Sequence, residues 1–120
     1  MVKSLNILGT KYRIHIGVDP AKDENLKNLY GYCSKSDRKI VVVDMNKLSD
    51  WDDNSTEAKL KQHNENLRHE ILHAFLNESG LQGSCLQYSG SWAMNEEMVD
   101  WFAIQYPKIK RVYQMLDCEE

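Results

Sequence analysis

Residues 54–80 read NSTEAKLKQHNENLRHEILHAFLNESG, and the rest of the chain is best understood by working outward from this stretch. Asn54-Ser55-Thr56-Glu57 is a helix start, a capping residue followed three places later by Glu. The helix is predicted to run to about Glu78 and to stop at Gly80, a residue suited to the left-handed position after a helix. At about 100° per residue, Leu60, Leu67, Ile71, Ala74 and Phe75 share one broad apolar face. A helix of this length needs a partner for that face, and the sequence before it supplies one.

Upstream, Lys11 to Val18 alternates, with Tyr12, Ile14 and Ile16 on one side and Arg13 and His15 on the other. That is the pattern of a half-buried strand. Asp19-Pro20 opens a polar stretch through Asn28 with room for a short helix, since Asp can cap and Pro suits a first turn. Tyr32-Cys33 and Lys39 to Val43 read as two strands joined by the polar turn Ser34-Lys35-Ser36-Asp37. Ile40-Val41-Val42-Val43 is β-branched throughout, the composition of a strand covered on both faces. Asp44 to Ser55 is a polar loop with Asp50, Asp52 and Asp53 around Trp51. Trp51 itself either contacts a partner or packs beneath the loop.

Downstream, a second helix is expected over Met94 to Tyr106, ended by Pro107. Its apolar face carries Met98, Phe102 and Tyr106 with Val99 beside them, and Trp92 and Trp101 are expected in the core. Ile109, Val112, Tyr113 and Leu116 then suggest a third helix packed by that stripe. The fold class is therefore α+β, a small mostly antiparallel or mixed sheet packed beside the residue 54–80 helix and a second, glutamate-bearing helix. With no repeat, low-complexity segment or linker, residues 1–120 are expected to form one domain.

Composition narrows the function. The chain has 120 residues, is 42% hydrophobic and 28% charged, and carries a net charge of −3. That balance, with Lys108-Ile109-Lys110-Arg111 as its longest basic cluster, argues against a nucleic-acid partner. No segment has the length or apolarity of a signal or spanning helix, so no membrane is expected. Cys33, Cys85 and Cys118 form no C-x-x-C pair and read as buried or reduced thiols in a cytoplasmic protein.

The chemistry lies in His69-Glu70-Ile71-Leu72-His73, an H-E-x-x-H motif that ordinary residue frequencies would put in about 0.3% of chains this long. Residues four apart sit one turn apart on a helix, so both imidazoles can reach one zinc ion at about 2.0–2.1 Å. Glu70 lies about 100° around the helix from His69 and about 60° from His73. From there it can reach a water beside the metal without being a ligand. The apolar face points roughly the other way. Further on, Asn95-Glu96-Glu97-Met98-Val99-Asp100 holds N-E-x-x-x-D. Glu96 and Asp100 share a helix face with small Ala103, which would let this helix approach the first closely. In a His₂Glu site Glu96, or its neighbour Glu97, completes the coordination, and Asp100 accepts a hydrogen bond from a ligand histidine, His69.

His69, Glu70, His73, Asn95, Glu96 and Asp100 together resemble the gluzincin metallopeptidases, whose pattern is HExxH followed by a glutamate helix written NExxxD. The resemblance covers Arg68 to Asp100, roughly a quarter of the chain. More loosely, the chain is similar to small metallopeptidase-like proteins of phages and prophages and to the ImmA/IrrE group. The resemblance implies a minimal zincin-like domain, with a short sheet beside the active-site helix and the glutamate helix packed behind. The metzincin extension is excluded, because no Gly or third His follows at its spacing.

Two functions are open at this point. In the first, the chain hydrolyses peptide bonds in a peptide or protein held along a strand edge, with zinc on His69, His73 and Glu96 and with Glu70 as general base. Tyr88, His15, His63 and Tyr106 are then the candidates for stabilising the oxyanion. In the second, the zinc pins two helices of a non-catalytic binding or regulatory module, with Cys85, His63 or Glu97 closing the site.

Overall fold

The structure, a computed structural model, describes residues 1–82 and 91–119, apart from the side chains of Val112 and Tyr113. Four strands come first: β1 (Val2–Ile7), β2 (Thr10–Val18), β3 (Gly31–Ser34) and β4 (Lys39–Val43). Two helices follow, α1 (Thr56–Glu78) and α2 (Glu96–Met115). The fold is α+β, and the sheet is mixed, in the order β1-β2-β4-β3. β1 pairs antiparallel with β2, β3 pairs antiparallel with β4, and the two hairpins meet through a parallel β2–β4 pair.

β1 was not foreseen from the sequence. It is an edge strand on which only Ile7 is buried, so its alternation carries little apolar signal. The β1–β2 loop is the two-residue turn Leu8-Gly9, both at positive φ, the conformation whose twist matches paired strands. The Asn6 side chain steadies it by accepting from the Gly9 N–H at 2.8 Å. Between β2 and β3 the expected short helix is two single 3-10 turns, Pro20–Lys22 and Glu24–Leu26, capped by the side chains of Asp19 and Asp23. The loop before α1 holds two more, at Met45–Lys47 and Ser49–Trp51.

β4 is covered on both faces, as its composition requires. Ile40 and Val42 pack with Ile7, Tyr12 and Ile14 under Leu67, Ile71 and Ala74 of α1. Val41 and Val43 pack on the other face with Leu26 and Met45, and Trp51 seals that cluster at its margin. Trp51 also donates its indole N–H to the Tyr30 hydroxyl at 3.0 Å.

Ser55 caps α1 by accepting from the Ala58 N–H at 3.1 Å, and Gly80 takes a φ of +83° just past its end. The buried arc differs from the expected stripe. Leu67, Ile71 and Ala74 do face the sheet, but Leu60 and Phe75 are exposed, while Asn66, Glu70 and Leu76 are buried. The reason is that α1 has two partners. Its motif side is covered by β3, and Leu72 and Leu76 meet Val99, Met98 and Ala93 of the second-helix region.

The expectations downstream of α1 are corrected. α2 does not stop at Pro107; one helix runs through the proline to Met115, and among the described residues no third helix follows it. Its contact face is Val99 and Ala103, and Phe102 and Tyr106 are exposed. Trp92 and Trp101 are more than half exposed and so are not core residues. In the Ile109 stripe, Leu116 is exposed as well, while Val112 and Tyr113 lie outside the described side chains. Among the described residues, no helix is long and apolar enough to cross a membrane.

Candidate metal centre

α1 delivers the HExxH residues and α2 meets them with its first two turns. Asn95 is the residue that starts α2. Its side chain accepts from the Met98 N–H at 2.9 Å, and its carbonyl accepts from the Val99 N–H. The asparagine of the NExxxD pattern is therefore a helix cap that fixes where Glu96 emerges. Glu96 sits in the first turn, where the helix dipole favours a carboxylate. Four residues on, Asp100 projects from the same side.

His69 and His73 point their Nε2 atoms at one another, 3.1 Å apart. The Glu96 carboxylate lies against both, at 3.1 Å from His69 Nε2 and 3.3 Å from His73 Nε2. Asp100 Oδ1 lies 2.7 Å from His69 Nδ1. A carboxylate can only accept, so the Nδ1–H of His69 donates to Asp100, and in the neutral ring this tautomer leaves the lone pair on Nε2. Two imidazole nitrogens and a carboxylate thus converge with few protons to share among them. The separations, 3.1 Å between the two Nε2 atoms, 3.1 Å from His69 Nε2 to Glu96 Oε2 and 3.3 Å from His73 Nε2 to Glu96 Oε1, are each short enough for both atoms of the pair to lie about 2.0–2.1 Å from one ion. Two imidazoles and a carboxylate are a donor set that suits a metal cation.

Glu70 lies deeper. Only 7% of its surface is exposed, because β3 runs directly over it. A side chain at Gly31 would stand 3.1 Å from Glu70 Cγ and 2.7 Å from the Val41 main-chain oxygen. Only a glycine lets strand and carboxylate come this close. Burial raises the Glu70 carboxyl to about 7, against the attraction of His69 and with the repulsion of Glu96 and Asp100. Burial also lowers His73 from its ordinary value, opposed by the attraction of Glu96. One donor atom from each of His69, Glu70 and His73 can be chosen so that all lie within 4.8 Å of one another, so this group could hold a metal ion.

The cleft over the cluster has a volume of about 540 Å³. Its floor is the motif face of α1, one wall is α2, and the other is Leu29 to Cys33 along the free edge of the sheet. Tyr30 and Tyr32 in that wall were not singled out from the sequence. The available signal was Gly31 between two tyrosines, since glycine inside a strand marks a close approach.

The remaining candidates separate clearly. Glu97 points away from the histidines and lines a surface hollow with Trp92, Met98 and Trp101. His63 lies in another hollow beside Asp44 and Lys59, and neither it nor His15 lines the cleft. His15 Nε2 is buried without a hydrogen-bond partner among the described residues. Tyr106 is half exposed and does not line the cleft. Tyr88 and Cys85 lie outside the described residues. Cys33 is half-buried in the cleft wall, where burial pushes its thiol up to about 12, and Cys118 is free and exposed. No protein-family model, no curated protein and no solved structure matches this chain.

Proposed function

We propose that this chain is a zinc-dependent peptidase, with the metal held by His69, His73 and Glu96 and with Glu70 as general base. The observation that carries the reading is the convergence of both Nε2 atoms and the Glu96 carboxylate at 3.1–3.3 Å, beside a buried carboxyl group that belongs to the same helix. A zinc ion bound there supplies a Lewis acid and brings the pKa of a coordinated water down to about 7. Three protein ligands leave the fourth position open, as hydrolysis requires.

Glu70 takes the proton from the attacking water and gives it to the leaving amine nitrogen. In the metal-free protein burial raises this carboxyl, the direction that helps it hold the proton between the two halves of that exchange. Asp100 holds His69 in one tautomer through the 2.7 Å bond. The substrate is an extended peptide laid along β3. The Val43 N–H donates to Tyr30 O, so alternation along the antiparallel ladder turns the main-chain groups of Gly31 and Cys33 to the free edge. An added strand would bond to those groups beside the metal.

A second reading is supported by the closeness of Glu70 to the histidines. If Glu70 is a fourth ligand, the site is closed, and the chain is a zinc-stabilised binding or regulatory module. One set of measurements tests both. Metal content is determined by mass spectrometry for wild type, His73→Ala, Glu96→Ala and Glu70→Gln, with hydrolysis assayed on unfolded casein. The expectation is near one zinc per chain in wild type, lost in the first two variants. Glu70→Gln should keep zinc and lose hydrolysis. Loss of zinc from Glu70→Gln would support the module instead. A wild type that takes up no zinc after reloading ends both readings.

A further inference from the structure

Arg68 immediately precedes His69 on α1, and its Nε donates to the main-chain oxygen of Ala103 on α2 at 2.6 Å. In an uninterrupted helix that oxygen would accept from the N–H of residue 107. Residue 107 is a proline inside α2. It has no N–H, and its ring crowds the carbonyl four residues back. The proline therefore leaves open an acceptor on the face of α2 that meets α1, where Ala103 is 3% exposed. Arg68 fills it.

Position matters as much as satisfaction. Glu96, Asp100 and Ala103 recur at the spacing of one helix face, so the carbonyl that Arg68 holds lies on the side of α2 that carries the two carboxylates. Apart from the polar contacts of the cluster itself, His69 with Asp100 and both histidines with Glu96, the helices meet through apolar side chains, Leu72 and Leu76 against Val99 and Met98. Such contacts are non-directional and tolerate sliding. A hydrogen bond to one carbonyl does not.

We propose that Arg68 is a positioning residue for the metal centre: by occupying the acceptor left open by Pro107, it sets the register of α2 on α1 and so brings Glu96 and Asp100 to His69 and His73. This inference rests on the zinc reading above. The same pairing explains how a proline is accommodated within a helix that carries part of the site. The arginine is tied to α2 because the helix cannot use that carbonyl itself.

The test compares wild type with Arg68→Ala, Pro107→Ala and the double variant. Zinc affinity is measured by chelator competition, visible spectra are taken of the cobalt-loaded forms, and the metal-free proteins are unfolded in urea. Arg68→Ala should weaken zinc binding about tenfold or more and change the cobalt bands. Adding Pro107→Ala returns an N–H to the Ala103 oxygen, so the double variant should recover resistance to urea. Its zinc affinity should stay low, because the Arg68 hydrogen bond that sets the helix register is still missing. Pro107→Ala alone should bind zinc like wild type. An Arg68→Ala affinity within twofold of wild type overturns the role. So does recovery of zinc affinity in the double variant, which would make Arg68 a partner for the carbonyl and nothing more. Failure of wild type to bind zinc removes the metal reading, and this role with it, before any variant is compared.

Discussion

Replacing Glu70 with Gln should change how the metal-free protein's stability responds to pH, and the size of the change follows from burial. The Glu70 carboxyl is raised from 4.5 to about 7, chiefly by desolvation. Between those values the unfolded chain has released the proton that the folded chain keeps. Folding then takes up a proton, so stability falls as pH rises through the window and is level on either side. A gap of about 2.5 at about 1.4 kcal/mol for each pH unit amounts to roughly 3 kcal/mol. His73 works in the opposite sense, because burial lowers it and its folded form resists protonation. The raw profile therefore mixes the two groups, and only the difference between wild type and Glu70→Gln isolates the carboxyl. The assay is urea unfolding in chelator from about pH 4 to about pH 8. Glu70→Gln should gain roughly 3 kcal/mol on wild type across that range. A difference that stays constant with pH would refute burial beneath β3 as the controlling influence on this group.

Two further outcomes test the surroundings. Gly31→Ala places a Cβ 2.7 Å from the Val41 main-chain oxygen and 3.1 Å from Glu70 Cγ, so strand and carboxylate must part. Denaturant unfolding should record a loss of about 1–3 kcal/mol, and a loss below about 0.5 kcal/mol would mean β3 yields without strain. Tyr12→Phe removes the hydroxyl that donates to Glu78 Oε1 at 2.7 Å, alongside Thr10. Those two bonds depress the Glu78 carboxyl, so their stabilisation is present above its unfolded value and is lost as pH falls through the folded one. Melting of Tyr12→Phe should differ from wild type at neutral pH and converge with it in acid; a gap unchanged by acid would assign the effect to packing.

Much of the architecture was legible because it is written in local patterns. The β-branched run 40–43 needs cover on both faces, the Asn54–Glu57 start and Gly80 bracket α1, and HExxH spacing follows from the helical turn. Glu96 and Asp100 shared a face by spacing alone. What could not be read depends on partners distant in sequence. The exposure of Leu60 and Phe75, and the burial of Glu70, follow from α1 touching both β3 and α2. The continuation of α2 past Pro107 goes with a bond from Arg68, thirty-nine residues earlier in the chain. Tyr30 and Tyr32 form a wall of the cleft only because β3 is the last strand of the sheet.

The parallel pair at the centre of the sheet also bears on how the chain folds. Each hairpin closes over a short loop, but Arg13 must find Lys39 and Ile16 must find Val42 across the two 3-10 turns, β3 and the turn that follows it. Closing that longer loop is the entropically expensive event, and distant pairings of this kind slow folding relative to local ones. The second hairpin carries β3 with it, so the approach of Gly31 to Glu70 depends on where that hairpin is seated. Substitutions at Ile14, Ile16, Ile40 or Val42 should then slow the refolding rate itself, whereas changes in α2 should act mainly on unfolding.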